Sequence, residues 1–251
     1  MVLDTEDWQP APEAGLHLAF RPVHDVITGR VYAYEALLRG PDGEEGDEIL
    51  AQIPSARHAE LDRRIAAAAV YRAMDAGLGR MSARLLIPIL APRAAPAGSS
   101  LAAAMEAGRR TGLVPERMIF GIHDFADVPG QHLADLVDGH RRAGSLSAFV
   151  GLSHDPIGFT PCVRYRPEMV RLDPELVHGI DSSWSRRLML EELAPRLRDL
   201  GIRVIADGVE REPVLQRLRS FGIFHVQGEM VAPPIPGALP PTRIARPAAA
   251  A

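Results

Sequence analysis

Short apolar runs alternate along the chain with longer segments whose apolar residues recur at helical spacing. Eight of the runs are strand-like, and they lie at 17–21, 30–38, 84–90, 117–122, 148–152, 169–173, 202–207 and 224–228. From the third run onward most are separated by a segment of helical character, at 100–113, 132–144, 185–201 and 212–222. Strands that alternate with helices indicate βαβ units and a mainly parallel sheet.

The number of strands favours a closed barrel over an open sheet. The chain has 251 residues, and α/β barrels form single domains of about 200–250 residues. The link at 23–29 is too short for a crossover helix, so the first two strands should form an antiparallel hairpin. The sequence therefore predicts an α/β fold, a (β/α)₈ TIM-type barrel with an antiparallel first strand, over residues 15–234. Residues 1–14 and the Pro- and Ala-rich residues 235–251 are expected to be disordered tails.

Composition narrows the classes of function. The chain is 47% hydrophobic and carries a net charge of −4, which gives no support to electrostatic nucleic-acid binding. No apolar run approaches the roughly 18–20 residues of a membrane helix, and the acidic N-terminus lacks the features of a signal peptide. The single cysteine, Cys162, excludes an intrachain disulfide framework. We therefore expect a cytoplasmic protein.

Two charged residues interrupt the second strand-like run, VYAYEALLRG at 31–40. Glu35 and Arg39 are costly to bury without partners. In barrels of this kind the chemistry lies at the C-terminal ends of the strands. The end of this strand is therefore the first place to expect a functional site.

Several motifs together resemble those of the EAL-domain family, phosphodiesterases that hydrolyse the bacterial second messenger cyclic di-GMP. YEALLRGPDG follows FRPVHDVITGR, LDRRIAAAAV opens the next long helix, VIADGVE ends one strand, and VQGEMVAPP ends the last. The likeness spans 15–234 and implies a (β/α)₈ barrel with an antiparallel first strand. It also implies two divalent cations, Mg²⁺ or Mn²⁺, that hold a water and the phosphate in active members.

The resemblance implies roles for residues at the strand ends. Glu35 matches the family's first metal-binding glutamate, and Arg39 matches an arginine that contacts a phosphate of the nucleotide. Gln227 matches the glutamine after the last strand. Asp207 stands where the family has a glutamate, and Arg171 stands at the position of the catalytic lysine.

Four further ligand positions of the family have lost their side-chain oxygen. An asparagine, a glutamate and two aspartates are replaced, in that order, by Pro88, Gly121, Val150 and Gly151. Two divalent ions carry four positive charges, which Glu35 and Asp207 alone would leave badly under-neutralised. Arg171 adds a charge that does not titrate near neutral pH. We therefore expect no catalytic residues, no metal and no cofactor, with Mg²⁺ or Mn²⁺ entering only if phosphodiesterase activity is retained.

Two side hypotheses concern residues near these positions. A displaced metal site is an open alternative, because His and Asp both bind transition metals, and it would use His123, Asp124, His154 and Asp155. Ordinary polar loop residues are the simpler interpretation, since a metal site demands convergent geometry. Without a metal, Glu35 is expected to pair with Arg171 across the barrel mouth.

Three functions remain open. The first is a degenerate, non-catalytic EAL-domain protein that acts as a regulatory interaction module in bacterial cyclic di-GMP-type signalling. The second is a cyclic di-GMP receptor without hydrolysis, which would use Glu35, Leu37, Arg39, Arg171, Asp207 and Gln227. The third is a weak metal-dependent phosphodiesterase. The expected partner is an unidentified regulatory protein in trans, with a homodimer or cyclic di-GMP as alternatives and neither nucleic acid nor membrane.

Overall fold

The computed structural model describes residues 15–94, 96, 98–153 and 156–244, with the backbone alone for 156 and 157. Eight strands close into a barrel in the order β2-β3-β4-β5-β6-β7-β8-β1, and β1 returns to β2. The strands are β1 (His17–Asp25), β2 (Arg30–Arg39), β3 (Arg84–Ile89), β4 (Met118–Ile122), β5 (Leu146–Leu152), β6 (Met169–Leu172), β7 (Arg203–Ala206) and β8 (His225–Val226). The predicted barrel is confirmed.

Helices follow most of the strands and cover the outside of the barrel. They are α1 (Gly46–Gln52), α2 (His58–Asp75), α3 (Ser99–Thr111), α4 (Gly130–Arg142), α5 (Pro156–Tyr165), α6 (Pro174–Val177), α7 (Trp184–Asp199) and α8 (Glu212–Ser220). Gly144, Gly201 and Gly222 follow α4, α7 and α8 with φ of +79°, +75° and +77°. This left-handed backbone ends a helix with little strain only at glycine, as the sequence pattern indicates. None of the helices in the described ranges is long and apolar enough to cross a membrane.

The first strand is reversed relative to the rest of the barrel. β1 pairs antiparallel with β2 and with β8, whereas the pairs from β2 to β8 are parallel. The reversal is a consequence of the short link between β1 and β2, which cannot hold a crossover. As a result, the first half of β1 lies beside the C-terminal ends of the other strands.

Alternation along the strands divides the barrel interior into layers. The middle layer is a fully buried apolar cluster of Val23, Ala33, Leu86, Ile119, Ala148, Met169 and Ile205. Residues two positions away along a strand share its inner face. The layers above and below this cluster contain charged side chains, so the two ends of the barrel can be considered separately.

The C-terminal segment corrects one prediction. Residues 235–244 were expected to be disordered, but a ninth strand, β9 (Ile235–Pro236), pairs with Ala19 and Phe20 of β1. Tyr34 donates a hydrogen bond from its hydroxyl to the carbonyl of Pro240 at 3.1 Å. Proline lacks an N–H but keeps its carbonyl and is tolerated on an edge strand, so a Pro-rich composition did not prevent docking. Residues 1–14 and 245–251 lie outside the described residues.

Candidate functional site at the barrel mouth

The C-terminal ends of the strands surround a cavity of about 640 Å³, here called the mouth cavity. Loops after β3, β4 and β5 and the first half of β1 complete its wall. Most of the positions singled out from the sequence line it, namely Leu37, Arg39, Pro88, His123, Asp124, Val150, Gly151, Arg171 and Asp207. Glu35 and Gln227 lie beneath its floor, each with no exposed surface.

Glu35 is the centre of the polar layer beneath the mouth cavity. Its Oε2 atom accepts hydrogen bonds from Arg21 Nη2 at 3.0 Å and from Gln227 Nε2 at 3.0 Å. Its Oε1 atom accepts from Arg171 Nη1. The predicted pairing of Glu35 with Arg171 is therefore present, and a second arginine joins it.

Asp207 shares both of those arginines. Its Oδ2 atom accepts from Arg21 Nη2 at 2.6 Å and lies 3.7 Å from Arg171 Nη1, while Oδ1 accepts from the backbone of Gly208 at 2.7 Å. The four side chains of Arg21, Glu35, Arg171 and Asp207 form what we call the mouth network. It contains two positive and two negative groups, so it is neutral without any metal ion.

The mouth network fixes the charge of its members. Burial alone would raise the pKa of Glu35, but the positive charges of Arg171 and Arg21 and the hydrogen bonds from Arg21 and Gln227 lower it to about 2. Burial would lower the pKa of Arg21, but Asp207 and Glu35 raise it above its usual value. The carboxylate and the guanidinium therefore both remain ionised across the physiological range of pH.

Arg21 is the residue that the sequence interpretation missed. It stands directly opposite Glu35 in the antiparallel register of β1 and β2. The signal was present in the sequence, because a hairpin closed by a short link pairs residues at predictable positions, and opposite charges on one face of such a pair attract each other. The stretch FRPVHDVITGR carried the family resemblance, but its arginine was not considered a site residue.

The four positions at which the resemblance predicts a lost metal ligand form an apolar side of the mouth. Pro88 and Gly121 are partners in the parallel register of β3 and β4, and both are buried. A Cβ atom on Gly121 would lie 3.2 Å from both Leu86 and Val150, so apolar side chains close the space around it. Gly151 has φ of +86° and is exposed. None of these four residues has a side-chain oxygen, so this wall offers no side-chain ligand to a hard cation.

The remaining donors do not fit the two divalent cations that the family implies. In the described part of the chain, no three His, Cys, Asp or Glu side chains lie close enough together to hold a metal ion. Glu35 and Asp207 already accept hydrogen bonds from guanidinium and amide groups. A divalent ion in their place would lie beside Arg21 and Arg171 and would be repelled by both.

The structure describes two of the four residues of the displaced metal site, His123 and Asp124, and neither supports that site. Burial and the charge of Arg171 lower the pKa of His123 to about 4, with Glu35 opposing them, and its Nε2 atom has no partner. Asp124 keeps much of its surface in contact with solvent, and its partial burial together with the charges of Asp47 and Asp127 raises its pKa. His154 and Asp155 lie outside the described residues, so their part of this hypothesis stays a prediction.

The rim of the mouth cavity is strongly acidic. Arg39 lines it, but its guanidinium donates to the carbonyl of Leu38 at 3.0 Å and to Glu45 at 3.1 Å. The arginines of the lining are Arg21, Arg39 and Arg171. The carboxylates of the lining are more numerous: Glu45, Asp47, Asp124, Asp127, Asp173, Asp207, Glu210 and Glu229. The cavity therefore has an excess of negative charge.

The protein is an α/β barrel of the TIM type with a reversed first strand and a polar cluster at its strand ends. Comparison with known proteins gives its family. The family model described as "EAL domain" matches residues 5–234, so the chain belongs to the EAL domain family. The family resemblance and the fold inferred from the sequence are thus confirmed.

Individual relatives are distant in sequence and close in fold. The chain is 24% identical over 228 residues to the blue light- and temperature-regulated antirepressor BluF of Escherichia coli (strain K12), covering 88% of this chain and 55% of that protein. It therefore spans about half the length of this curated relative.

Two solved structures illustrate the likeness in fold. A standalone EAL protein from Vibrio cholerae O395, in its c-di-GMP-bound form, has a TM-score of 0.83 at 22% identity, covering 92% of this chain and 97% of that one. A calcium and cyclic di-GMP complex of Klebsiella pneumoniae BlrP1 has a TM-score of 0.80 at 24% identity, covering 93% of this chain and 59% of that one. At these sequence identities the likeness shows that the fold is shared and shows nothing about function.

Proposed function

We propose that this chain is a non-catalytic EAL-domain module that regulates cyclic di-GMP-type signalling by binding another protein. The observation that carries the proposal is the mouth network, in which Arg21 and Arg171 neutralise Glu35 and Asp207. Hydrolysis in this family depends on cations at those carboxylates. Here two guanidinium groups satisfy the same carboxylates, and the other ligand positions offer no oxygen.

Loss of metal binding also weakens the case for a nucleotide receptor. Cyclic di-GMP carries two phosphate charges, and the described residues that line the mouth cavity include eight carboxylates and three arginines. Each of those arginines already forms an ion pair with a carboxylate. Unit charges 4 Å apart interact by about 4 kcal/mol at an effective dielectric constant of 20. Without cations, this excess of negative charge opposes the binding of a dianionic nucleotide.

A protein partner is supported by one relative. The name of Escherichia coli BluF describes it as an antirepressor, a protein that counteracts a repressor. An EAL barrel that had lost its metal site could serve a regulator of that kind, because protein binding requires a stable folded surface rather than catalytic carboxylates. The receptor remains the second candidate, supported by the cyclic di-GMP in the Vibrio and Klebsiella structures, and weak metal-dependent hydrolysis is the third.

One calorimetric experiment separates these candidates. Purified protein is titrated with cyclic di-GMP, with and without Mn²⁺, and the same samples are assayed for the linear dinucleotide. We expect no saturable heat at micromolar ligand and no product above the buffer rate. The variants Arg39→Ala and Glu35→Ala are measured in parallel, and Arg109→Ala, whose exposed guanidinium pairs with Glu106 on the outside of the barrel, is the matched control.

Two results would contradict the proposal. Saturable binding that disappears in Arg39→Ala but persists in Arg109→Ala would make the chain a cyclic di-GMP receptor. Product that forms only with Mn²⁺ and is abolished by Glu35→Ala would make it a phosphodiesterase. In the expected case, a protein captured from lysate and then purified should bind the wild type and Arg39→Ala equally, whether or not cyclic di-GMP is present.

A further inference from the structure

The amino-terminal end of the barrel carries a second cluster of charged and aromatic side chains, far from the mouth network. Arg84 and Arg203 begin β3 and β7. Each lies two residues before a member of the apolar middle layer, Leu86 and Ile205, so each faces the barrel interior. Three strands separate β3 from β7 in either direction around the barrel, so the two arginines extend from opposite walls.

Both arginines converge on the ring of Tyr32. The guanidinium carbon of Arg84 lies 4.8 Å from the ring centroid, and that of Arg203 lies 5.1 Å from it, so the two carbons are at most about 10 Å apart. Arg203 Nη1 also donates to the Tyr32 hydroxyl at 2.7 Å. The ring of His225 packs edge-on against Tyr32 with centroids 4.5 Å apart. We call these four side chains the lower cluster.

The lower cluster has an excess of positive charge, in contrast to the mouth network. Within the described residues, no carboxylate oxygen lies within 4.0 Å of a nitrogen of Arg84 or Arg203. The Nε atom of Arg84 is buried and has no hydrogen-bond acceptor in the part of the chain that the structure describes. Asp25 lies near His225, but its carboxylate accepts from the backbone of Ile27 and from Thr28. Burial and the charges of Arg203 and Arg84, with Asp25 opposing, lower the pKa of His225 to about 4, so it is neutral at pH 7.

We propose that the lower cluster is an oxyanion site, in which a phosphate or carboxylate group binds to the guanidinium groups of Arg84 and Arg203. Guanidinium presents planar pairs of N–H donors that match both kinds of oxyanion. The buried Nε–H of Arg84 has no acceptor among the described residues, and an unsatisfied N–H of this kind is costly. The site is separate from the mouth and does not depend on the function proposed there.

Cation–π packing of the two arginines on Tyr32 is the competing explanation for the cluster, since that packing stabilises a part-buried guanidinium without any anion. The two explanations differ in what an added anion does. A purely structural cluster gains nothing from phosphate beyond the effect of ionic strength. A binding site is stabilised in proportion to the logarithm of ligand concentration above the dissociation constant.

The test measures thermal unfolding in increasing sodium phosphate at pH 7.5, with sodium chloride and sodium acetate arms matched in ionic strength. The variants are Arg203→Gln and Arg84→Gln. Arg30→Gln, an exposed arginine at the same end of the barrel, controls for surface charge. Arg39→Gln controls for phosphate bound in the mouth cavity. Broadening of the phosphate signal in ³¹P NMR provides a second measurement that does not depend on stability.

We expect phosphate to raise the melting temperature of the wild type above the chloride arm, and to broaden its ³¹P signal. Both effects should disappear in Arg203→Gln and Arg84→Gln and persist in the two controls. An equal response to acetate supports the site and extends its ligands to carboxylates. Equal responses to phosphate and chloride, unchanged responses in Arg203→Gln, or loss in Arg39→Gln would each overturn the proposal. If Arg84→Gln does not fold, Arg203→Gln decides alone, because residue 203 is exposed.

Discussion

Arg21 has the most consequential side chain in the mouth, because a single guanidinium nitrogen contacts both carboxylates of the network. Its Nη2 atom lies 3.0 Å from Glu35 and 2.6 Å from Asp207. Glu35 has a side-chain exposure of 1% and Asp207 of 6%, so water cannot replace that contact. The charge balance of this end of the barrel therefore depends on Arg21 as much as on the acidic residues themselves.

Replacement of Arg21 should lower the free energy of unfolding substantially. Replacement of both Arg21 and Glu35 should lower it by less than the sum of the two single losses. Breaking a buried ion pair costs about 3–5 kcal/mol, and we expect Arg21→Gln near the lower end because Arg171 still serves both carboxylates. In Arg21→Gln combined with Glu35→Gln, the loss should be smaller than the sum of the two single losses by about 1–3 kcal/mol. Urea denaturation of the four proteins measures this coupling free energy.

An exposed pair provides the matched control for that cycle. Arg63 and Glu60 are 2.5 Å apart on α2, with about half of each side chain exposed. The same pair of glutamine substitutions there should give a coupling of about 0.3–0.5 kcal/mol, as is typical of exposed helix pairs. A coupling at Arg21 and Glu35 no larger than this control would show that the mouth network does not stabilise the fold.

At the scale of elements, the C-terminal segment acts as an additional layer across the hairpin of β1 and β2. β9 pairs with Ala19 and Phe20 of β1, ahead of the two residues of β1 that pair with β8, and Leu239 and Ile244 pack against the main core. Arg243 donates its backbone N–H to the carbonyl of Val231 at 2.8 Å. This segment therefore covers the outer face of the strands that supply Arg21 and Glu35.

Removal of this segment should destabilise the barrel. A chain ending at residue 234 loses the β9 pairing, the hydrogen bond from Tyr34 and the apolar contacts of Leu239 and Ile244. We expect a lower midpoint in urea and a smaller m-value, since less surface is buried on folding. A chain ending at residue 244 retains all of these contacts and is the control. Equal midpoints for the two truncations would contradict the assigned packing.

The order of elements could be predicted from the sequence, because apolar periodicity and helix-ending glycines determine it locally. The reversed strand followed from the short link between β1 and β2, and the pairing of Glu35 with Arg171 followed from facing strand ends. The docking of residues 235–244 could not be predicted, because it uses backbone groups that composition does not report. Arg21 could have been predicted from the register of the hairpin, which places it opposite Glu35, but it was not considered a site residue.

At the scale of the whole molecule, the two ends of the barrel differ in electrostatic character. The mouth has a surplus of carboxylates, and the lower cluster has a surplus of guanidinium groups. The apolar middle layer separates them, so each end can titrate or bind without contact with the other. The free energy of unfolding should nevertheless depend on the interactions at both ends, because unfolding exposes both ends at once.

Stability in acid should identify the contribution of Glu35. Its pKa falls from an ordinary 4.5 to about 2 on folding, so the unfolded state binds more protons between these values. The stabilisation is therefore complete above about pH 4.5 and is lost as pH falls towards 2. The free energy of unfolding of the wild type should fall faster with acid than that of Glu35→Gln, as measured by urea denaturation from pH 7 to 2. Parallel profiles would contradict the assigned environment.

Asp62 provides a control for that experiment, because its pKa changes on folding in the opposite direction to that of Glu35. Its carboxylate accepts from the backbone of Leu90 and Ala91, but burial outweighs those bonds and raises its pKa from 3.8 to about 6. Here the folded state binds more protons, so this contribution to stability decreases as pH rises from about 4 to 6. Asp62→Asn should remove that slope and leave the acid loss due to Glu35 unchanged.

The antiparallel placement of β1 has a consequence for synthesis of the chain on the ribosome. Glu35 and Arg21 emerge together, but Arg171 lies 136 residues and Gln227 192 residues beyond Glu35. At about 5–20 residues per second, roughly 10–40 s separate the appearance of Glu35 from that of its last partner. During that interval the nascent hairpin has an incomplete set of partners for its buried glutamate and two unpaired strand edges. Chaperone protection should therefore matter most for this protein before β8 leaves the exit tunnel.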